Sequence, residues 1–487
     1  MKQKSLAMNA FLNSFRSVMN IIFPLITFPY VSRILTVEGM GIYNFSSSIV
    51  NYFMLIAALG ISTYAIREGA KYRTDKSKIT QFSSEMFTIN LCSTVLAYLL
   101  LFLCLIVFSK LRNYTICILI FSLQIFFTTI GTEWIYQIYE DYSYITVRSI
   151  IFQIISIILL FTFVKGPDDY LNYAGITVFS AVGSNILNFI HARKYCNIHI
   201  VFHINWKKHM VPIFILFITG VTMMIYVDSD ITLLGIMKNN YVVGIYSVSS
   251  KIYQIVKTII NAILTVMIPR LALLFGSHKI KEYKNILTNS TNMLIILILP
   301  ASVGLFMLAN DVILIVSGSH YLRAVNSLRI LCFAYIFAIL AYVLNDCVLI
   351  PAKREKYALK STIASATLNI IFNLIFIPLL AENAAAISTV LAEMCMFIMD
   401  YYYAKDLVGD IFTSKEMFNN IIASIIGCLG IIVVCLLCGL GWQSLVLRTF
   451  FSVVLSIIIY ISILVLLKNK VVFDLLEKAR IILKSKL

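Results

Sequence analysis

Long apolar stretches alternate with short polar ones along the whole chain, and each stretch is about as long as a bilayer is thick. A helix needs about 20 apolar residues to cross the hydrocarbon core. Fourteen such cores are predicted, at 8–30, 42–66, 84–108, 114–138, 144–164, 170–191, 210–235, 242–266, 286–308, 326–350, 358–380, 383–404, 418–440 and 443–467. They are continuous runs and not the ten-residue alternation of barrel strands, so each segment satisfies its own backbone hydrogen bonds as a helix. The expected fold class is an all-α integral membrane protein with fourteen transmembrane helices. The first core carries Arg16 and several Asn, and it reads as a retained helix, not a signal peptide.

The pattern also repeats at long range. GIYNFSSSIV starts at Gly41 and GIYSVSSKIY at Gly244, an offset of 203, with Lys251 standing where the first copy has Ser48. NYAGI at 172–176 is echoed by NAAAI at 383–387, an offset of 211, each opening the sixth helix of its half. Six helices make the repeat. An even number means that both copies enter the membrane from the same side, as parallel repeats related by an axis along the membrane normal. Such halves commonly enclose a central cavity and alternate access by rocking. The expected organisation is two pseudo-symmetric six-helix lobes, 1–203 and 204–405. The remainder, 406–487, holds two extra helices and the amphipathic tail VVFDLLEKARIILKSKL, expected to lie on the cytoplasmic surface.

Composition agrees with this picture and charge refines it. The chain is 60% hydrophobic and 13% charged, against roughly 45–50% apolar for a soluble domain. A net charge of +16 would suit a nucleic-acid partner, but most of the cations fall in alternate loops, such as REGAKYRTDKSK at 67–78, HARKYC and WKKH within 191–209, and PAKREKYALK at 351–360. That is the positive-inside signal. It places both termini in the cytoplasm and leaves no role for nucleic acid. The ten cysteines lie almost all in apolar segments, so neither a disulfide framework nor a zinc site is expected. Cys435 and Cys438 form a CxxC whose expected role is packing. No nucleotide-binding loop, H-E-x-x-H or nucleophile elbow occurs. No enzyme, cofactor or metal is expected.

Polar residues inside the apolar cores mark the candidate site. On helical spacing Ser247, Lys251, Gln254, Lys257, Thr258, Asn261 and Thr265 share an arc of about 120° in the eighth predicted helix, opposite Ile252, Ile255, Val256, Ile259, Ile263 and Val266. In the first, Asn9, Asn13, Arg16, Ser17, Asn20, Pro24 and Thr27 share about 100°. A cation at a helix centre costs roughly 2.5–3.5 kcal/mol on insertion scales, so Arg16, Lys251 and Lys257 require water, a ligand or acidic partners. Glu133, Asp228, Asp230, Asp346 and Glu393 are the acids available. Asp228 and Asp230 are also candidates for ion coupling, although they stand near the outer end of their helix, where exposure is expected to make a charge cheap.

Four stretches carry a resemblance: FPYVSRILTVEGMGIYNFSSSIVNYFMLIAALGISTYAIREGAKYR at 28–73, EWIYQIYEDY at 133–142, DSDITLLGIMKNNYVVGIYSVSSKIY at 228–253 and PASVGLFMLANDVILIVSGSHYLRAVNSLRIL at 300–331. The chain resembles the O-antigen and capsule flippases, the polysaccharide branch of the multidrug/oligosaccharidyl-lipid/polysaccharide exporter superfamily. The resemblance implies fourteen helices and a bacterial inner-membrane protein. It implies movement of an undecaprenyl-pyrophosphate-linked oligosaccharide from the cytoplasmic to the outer leaflet, with the prenyl tail left in lipid. Expected partners are that substrate, membrane lipids, and the polysaccharide polymerase and chain-length machinery. On helix geometry Arg16, Lys251 and Lys257 would meet the pyrophosphate. Asn9, Asn13, Asn20, Gln254 and Asn261 would contact sugar.

Three other readings compete. A teichoic-acid or peptidoglycan-precursor flippase also carries an anionic polyprenyl phosphate. An ion-coupled multidrug exporter of the same superfamily would need an acidic cavity, where this chain has cationic stripes. A membrane O-antigen polymerase or ligase is disfavoured by the internal duplication and short outer loops.

Overall fold

Helix follows helix because each apolar run must bond its backbone internally in lipid. The computed structural model describes the backbone of residues 6–265, 267–473 and 477; the side chains of residues 6, 7, 9–11, 13, 14, 16, 17, 20, 21 and 263 lie outside the described set. The fold is all-helical, and no strand occurs among the described residues. In chain order the long helices are α1 Leu6–Ile34, α2 Val37–Tyr72, α3 Lys76–Val107, α4 Ser109–Gly131, α5 Tyr142–Phe163, α6 Tyr170–Ala192 and α7 Trp206–Met237. They continue with α8 Asn240–Thr265, α9 Ile280–Val316, α10 Ala324–Leu349, α11 Glu355–Leu380, α12 Glu382–Phe412, α13 Lys415–Gly441 and α14 Leu445–Leu466.

Among the described residues twelve helices are long and apolar enough to cross a membrane. The two long helices outside that set, α1 with 29 residues and α8 with 26, are the ones that carry the polar stripes. Most of the tail, 474–476 and 478–487, lies outside the described residues; Val472 at its start is buried against the α9, α13 and α14 cluster.

Local chemistry sets the helix starts. The Thr36 side chain accepts the Gly39 N–H at the head of α2, and Ser414 accepts from Met417 at the head of α13, each satisfying a donor that the helix leaves open. Asp75 caps α3 by accepting the N–H groups of Lys78 and Ser77, which hold its carboxyl below the usual carboxylate range. In the α5–α6 loop the N–H groups of Gly166 and Lys165 do the same for Asp169.

Two compact units divide the chain, Met1–Ser247 and Val248–Leu487. The division falls inside α8, beyond the 203/204 point suggested by the repeat offsets. In the first unit α2 packs on α3, α4 and α7, α4 on α6, and α5 on α1 and α6. In the second, α12 packs on α10 and α11, and α9 on α10, α13 and α14. Cys435 and Cys438 are buried in the α13 packing face, with the Cys435 Sγ 3.8 Å from the Ser456 hydroxyl of α14.

The repeated G-I-Y has a structural use in the first unit. A Cβ on Gly41 would lie 1.8 Å from the Asn240 carbonyl oxygen, and a Cβ on Gly244 would lie 2.0 Å from the Val37 carbonyl oxygen. The two contacts are reciprocal. Asn240 precedes Gly244 by the same four positions that separate Val37 from Gly41, so each helix entrance supplies a glycine to the other's carbonyl. Small residues at such crossings let backbones approach within a membrane.

Candidate functional site

The polar face of α8 divides into a paired and an unpaired part. Lys257 donates to the Glu393 carboxylate of α12 at 2.7 Å, and the Tyr253 hydroxyl donates to the same oxygen at 3.1 Å. Glu393 is 2% exposed, and Tyr335 of α10 fixes this part of α8 by donating to the Tyr253 carbonyl. Lys257 is therefore neutralised. Removing it would strand a buried carboxylate, and breaking a buried pair on one side costs about 3–5 kcal/mol. We expect Lys257→Met to lower the melting temperature of the detergent-purified protein and Lys257→Met/Glu393→Gln to restore it.

Lys251 is half-buried and has no hydrogen-bond or ion-pair partner among the described residues. Gln254 and Thr258 on the same face are exposed, and the side-chain oxygen of Asn261 is buried with no hydrogen-bond partner among the described residues. One cation, two amides and a hydroxyl thus line one side of α8, while Val248 and Ile252 are buried on the other. Such a face can bind an anion flanked by hydroxyl groups. Ser48, which stands where the repeat offset would put Lys251, is buried in α2 and accepts from Thr232 of α7. A lysine has no room there.

Helix α1 is long enough to cross the membrane, but the side chains of Asn9, Asn13, Arg16 and Asn20 lie outside the described residues.

Asp228 and Asp230 correct an expectation. They are half-buried and buried, not exposed. α7 continues to Met237 and packs on α2, so neither acid reaches the helix end. Asn51 donates to Asp228 at 3.3 Å and Tyr246 to Asp230 at 2.6 Å. Thr232 bonds the hydroxyls of Ser48 and Tyr52 beside them. Ser48, Asn51 and Tyr52 share one face of α2 by their spacing; Ser48 stands out in the sequence only as the repeat counterpart of Lys251, and Asn51 and Tyr52 not at all.

Other groups were also missed. Arg148 of α5 is 7% exposed and lies 4.0 Å from Glu133, so that acid serves a cation of its own unit. Arg448 of α14 binds Asp311 of α9, and Arg323 binds Glu382 of α12, each through two hydrogen bonds. Helices α9, α13 and α14 enclose an apolar groove of about 770 Å³, lined by Leu297, Pro300, Gly304, Ile431, Ile457 and Tyr460 among others. Among the described residues no three His, Cys, Asp or Glu side chains are grouped to hold a metal.

A family described as polysaccharide biosynthesis protein matches residues 6–275, more than half of the chain and including the entire polar face of α8. The chain belongs to this family. It is a membrane transporter of polysaccharide biosynthesis and not an enzyme. It is 23% identical over 390 residues to "Putative O-antigen transporter" of Escherichia coli (strain K12), covering 77% of this chain and 91% of that one. It is 22% identical over 258 residues to "Probable low-salt glycan biosynthesis flippase Agl15" of Haloferax volcanii, covering 53% of each. Among solved structures, lipid II flippase MurJ in an inward closed conformation matches with a TM-score of 0.77 at 15% identity, over 96% of this chain and 100% of that one. An inward-facing multidrug resistance MATE family transporter matches with 0.63 at 12% identity, over 81% and 95%. These likenesses establish the fold.

Proposed function

We propose that the chain is a flippase that carries an undecaprenyl-pyrophosphate-linked oligosaccharide from the cytoplasmic to the outer leaflet of the bacterial inner membrane by alternating access. The observation that carries this reading is Lys251, a half-buried cation without a protein partner among the described residues, on a helix face that continues into Gln254 and Asn261. An unpaired intramembrane cation is costly unless water or an anion meets it. The pyrophosphate supplies the anion and the sugar hydroxyls meet the amides. Lys257 is held by Glu393, and the phosphate competes with that carboxylate for it. On helical spacing Arg16, Asn9, Asn13 and Asn20 of α1 offer a second stripe of the same chemistry, with the cation for pyrophosphate and the amides for sugar. The apolar groove of the second unit suits a stretch of prenyl chain.

In this reading α1 and α8 also cross the membrane, giving fourteen spans. They form two pseudo-symmetric six-helix lobes, 1–203 and 204–405, with 406–487 appended. The reciprocal glycine contact at an offset of 203 supports the repeat. Both termini lie in the cytoplasm on the loop charges. The polymerase and chain-length machinery would take the product. Asp228 and Asp230, held by Asn51 and Tyr246, would serve if transport is coupled to an ion.

A deletion strain tests the function. One lipid-linked oligosaccharide should accumulate at the cytoplasmic face and disappear on complementation. Accumulation of a peptidoglycan or teichoic-acid precursor instead would move the assignment to that lipid. Thiol labelling tests the face: a Cys at Gln254 or Asn261 should react with a charged reagent. A Cys at Ile259, half-exposed but on the apolar side, should stay unlabelled because it faces lipid.

A further inference from the structure

Asp400 lies within α12 and is 0% exposed. One of its carboxylate oxygens accepts the Ser361 hydroxyl of α11; the other is buried with no hydrogen-bond partner among the described residues. Among those residues it has no ion pair either. A bare carboxylate in such a place costs several kcal/mol, so the group carries a proton or holds a cation.

The surroundings choose between them. Asn345 and Asp346 lie beside Asp400 from α10, and Cys395 lies near it on α12 itself. Behind Asp346 on α10 stand Tyr342 and Cys347, and Tyr283 of α9 donates to the Cys347 carbonyl. The nearby cations on the α11 side are engaged elsewhere: Arg354 binds Asp406, and Lys360 sits over the Tyr357 ring. Ser361, Asn345 and the carboxylate offer fewer oxygens than the six or more that a hard metal ion takes. A proton needs only one.

The end of α10 carries the polar groups beside Asp400. Residues Asn345–Leu349 form a π-helical turn, with the Ile350 N–H bonded to the Asn345 carbonyl at 3.0 Å. Single π turns recur at functional sites. This one carries Asn345 and the half-exposed Asp346 just before the α10–α11 loop begins.

We propose that Asp400 is a proton-binding site loaded from the α10–α11 loop side through Asp346, with the Ser361 hydroxyl and the π turn of α10 holding the protonated carboxyl. The proton passes from water to the Asp346 carboxylate and on to the open Asp400 oxygen, and only O–H bonds are made and broken. The site is separate from Asp228 and Asp230, which belong to the first unit, and goes beyond the flippase reading.

Infrared spectroscopy of the full-length protein in lipid nanodiscs tests it. At neutral pH a protonated-carboxyl C=O band should be present, lost in Asp400→Asn and kept in Asp228→Asn. Asp346→Asn should slow its hydrogen–deuterium exchange several-fold. Ser361→Ala should shift the band by removing its hydrogen bond, which provides the test if Asp400→Asn fails to reach the membrane. A band that survives Asp400→Asn, one that is unmoved in Ser361→Ala, or one that responds to Na⁺ and not to pH would overturn the assignment. No substrate is needed for this measurement, so its failure leaves the flippase reading standing, and failure of the deletion-strain experiment leaves the proton site standing.

Discussion

Gly41→Val and Gly244→Val will each abolish export and lower the yield of folded protein. The contact they break is backbone against backbone: a side chain on Gly41 meets the Asn240 carbonyl oxygen at 1.8 Å, and one on Gly244 meets the Val37 carbonyl oxygen at 2.0 Å. Overpacking a core costs typically about 1–3 kcal/mol when side chains can give way, and more when they cannot. Here a carbonyl held in a helix cannot rotate aside, so the entrances of α2 and α8 must separate. Alanine at either position already places the offending Cβ and should weaken the protein in the same direction. Gly175→Ala and Gly439→Ala meet nothing within 4 Å and should behave as wild type. Monodispersity and melting temperature in detergent, read beside surface polysaccharide, check the series.

The second large effect separates function from stability. Lys251→Ala should reduce flipping about tenfold to a hundredfold, the worth of a hydrogen bond from a charged group, roughly 1.5–3 kcal/mol, to an anionic headgroup. It should leave the melting temperature unchanged or raised, because Lys251 has no partner among the described residues to lose and its removal relieves a charge held at membrane depth. Lys251→Arg should keep much of the activity. Lys257 behaves oppositely, since its loss strands Glu393. Transport measured in vesicles, together with thermal melting, distinguishes the two lysines. Normal flipping by a stable Lys251→Ala protein would remove the phosphate role from this residue.

Much of this was legible in the chain. Apolar runs of bilayer length predict the helices because lipid offers no other partner for the backbone. The two polar stripes were visible because helical spacing alone puts Lys251, Gln254 and Asn261 on one face. The acids near Lys257 could be named in advance, but not the one that takes it. Asp228 and Asp230 looked exposed because sequence gives no sign that this stretch of α7 packs on α2 or that Asn51 and Tyr246 take up the two acids. Asp400 drew no notice: a carboxylate late in a long helix reads as an interfacial residue until Ser361 and the π turn of α10 enclose it.

The sequence by itself determined what the bilayer enforces locally: helical class, segment positions and stripe direction, beside a G-I-Y repeated at two helix entrances. Only the tertiary structure decided which charges are spent on each other. Lys257 and Glu393 are 136 residues apart, and Arg448 and Asp311 are 137 apart. Such pairings, like the seating of Gly41 and Gly244 on each other's carbonyls, depend on how helices cross, which periodicity within one helix does not encode.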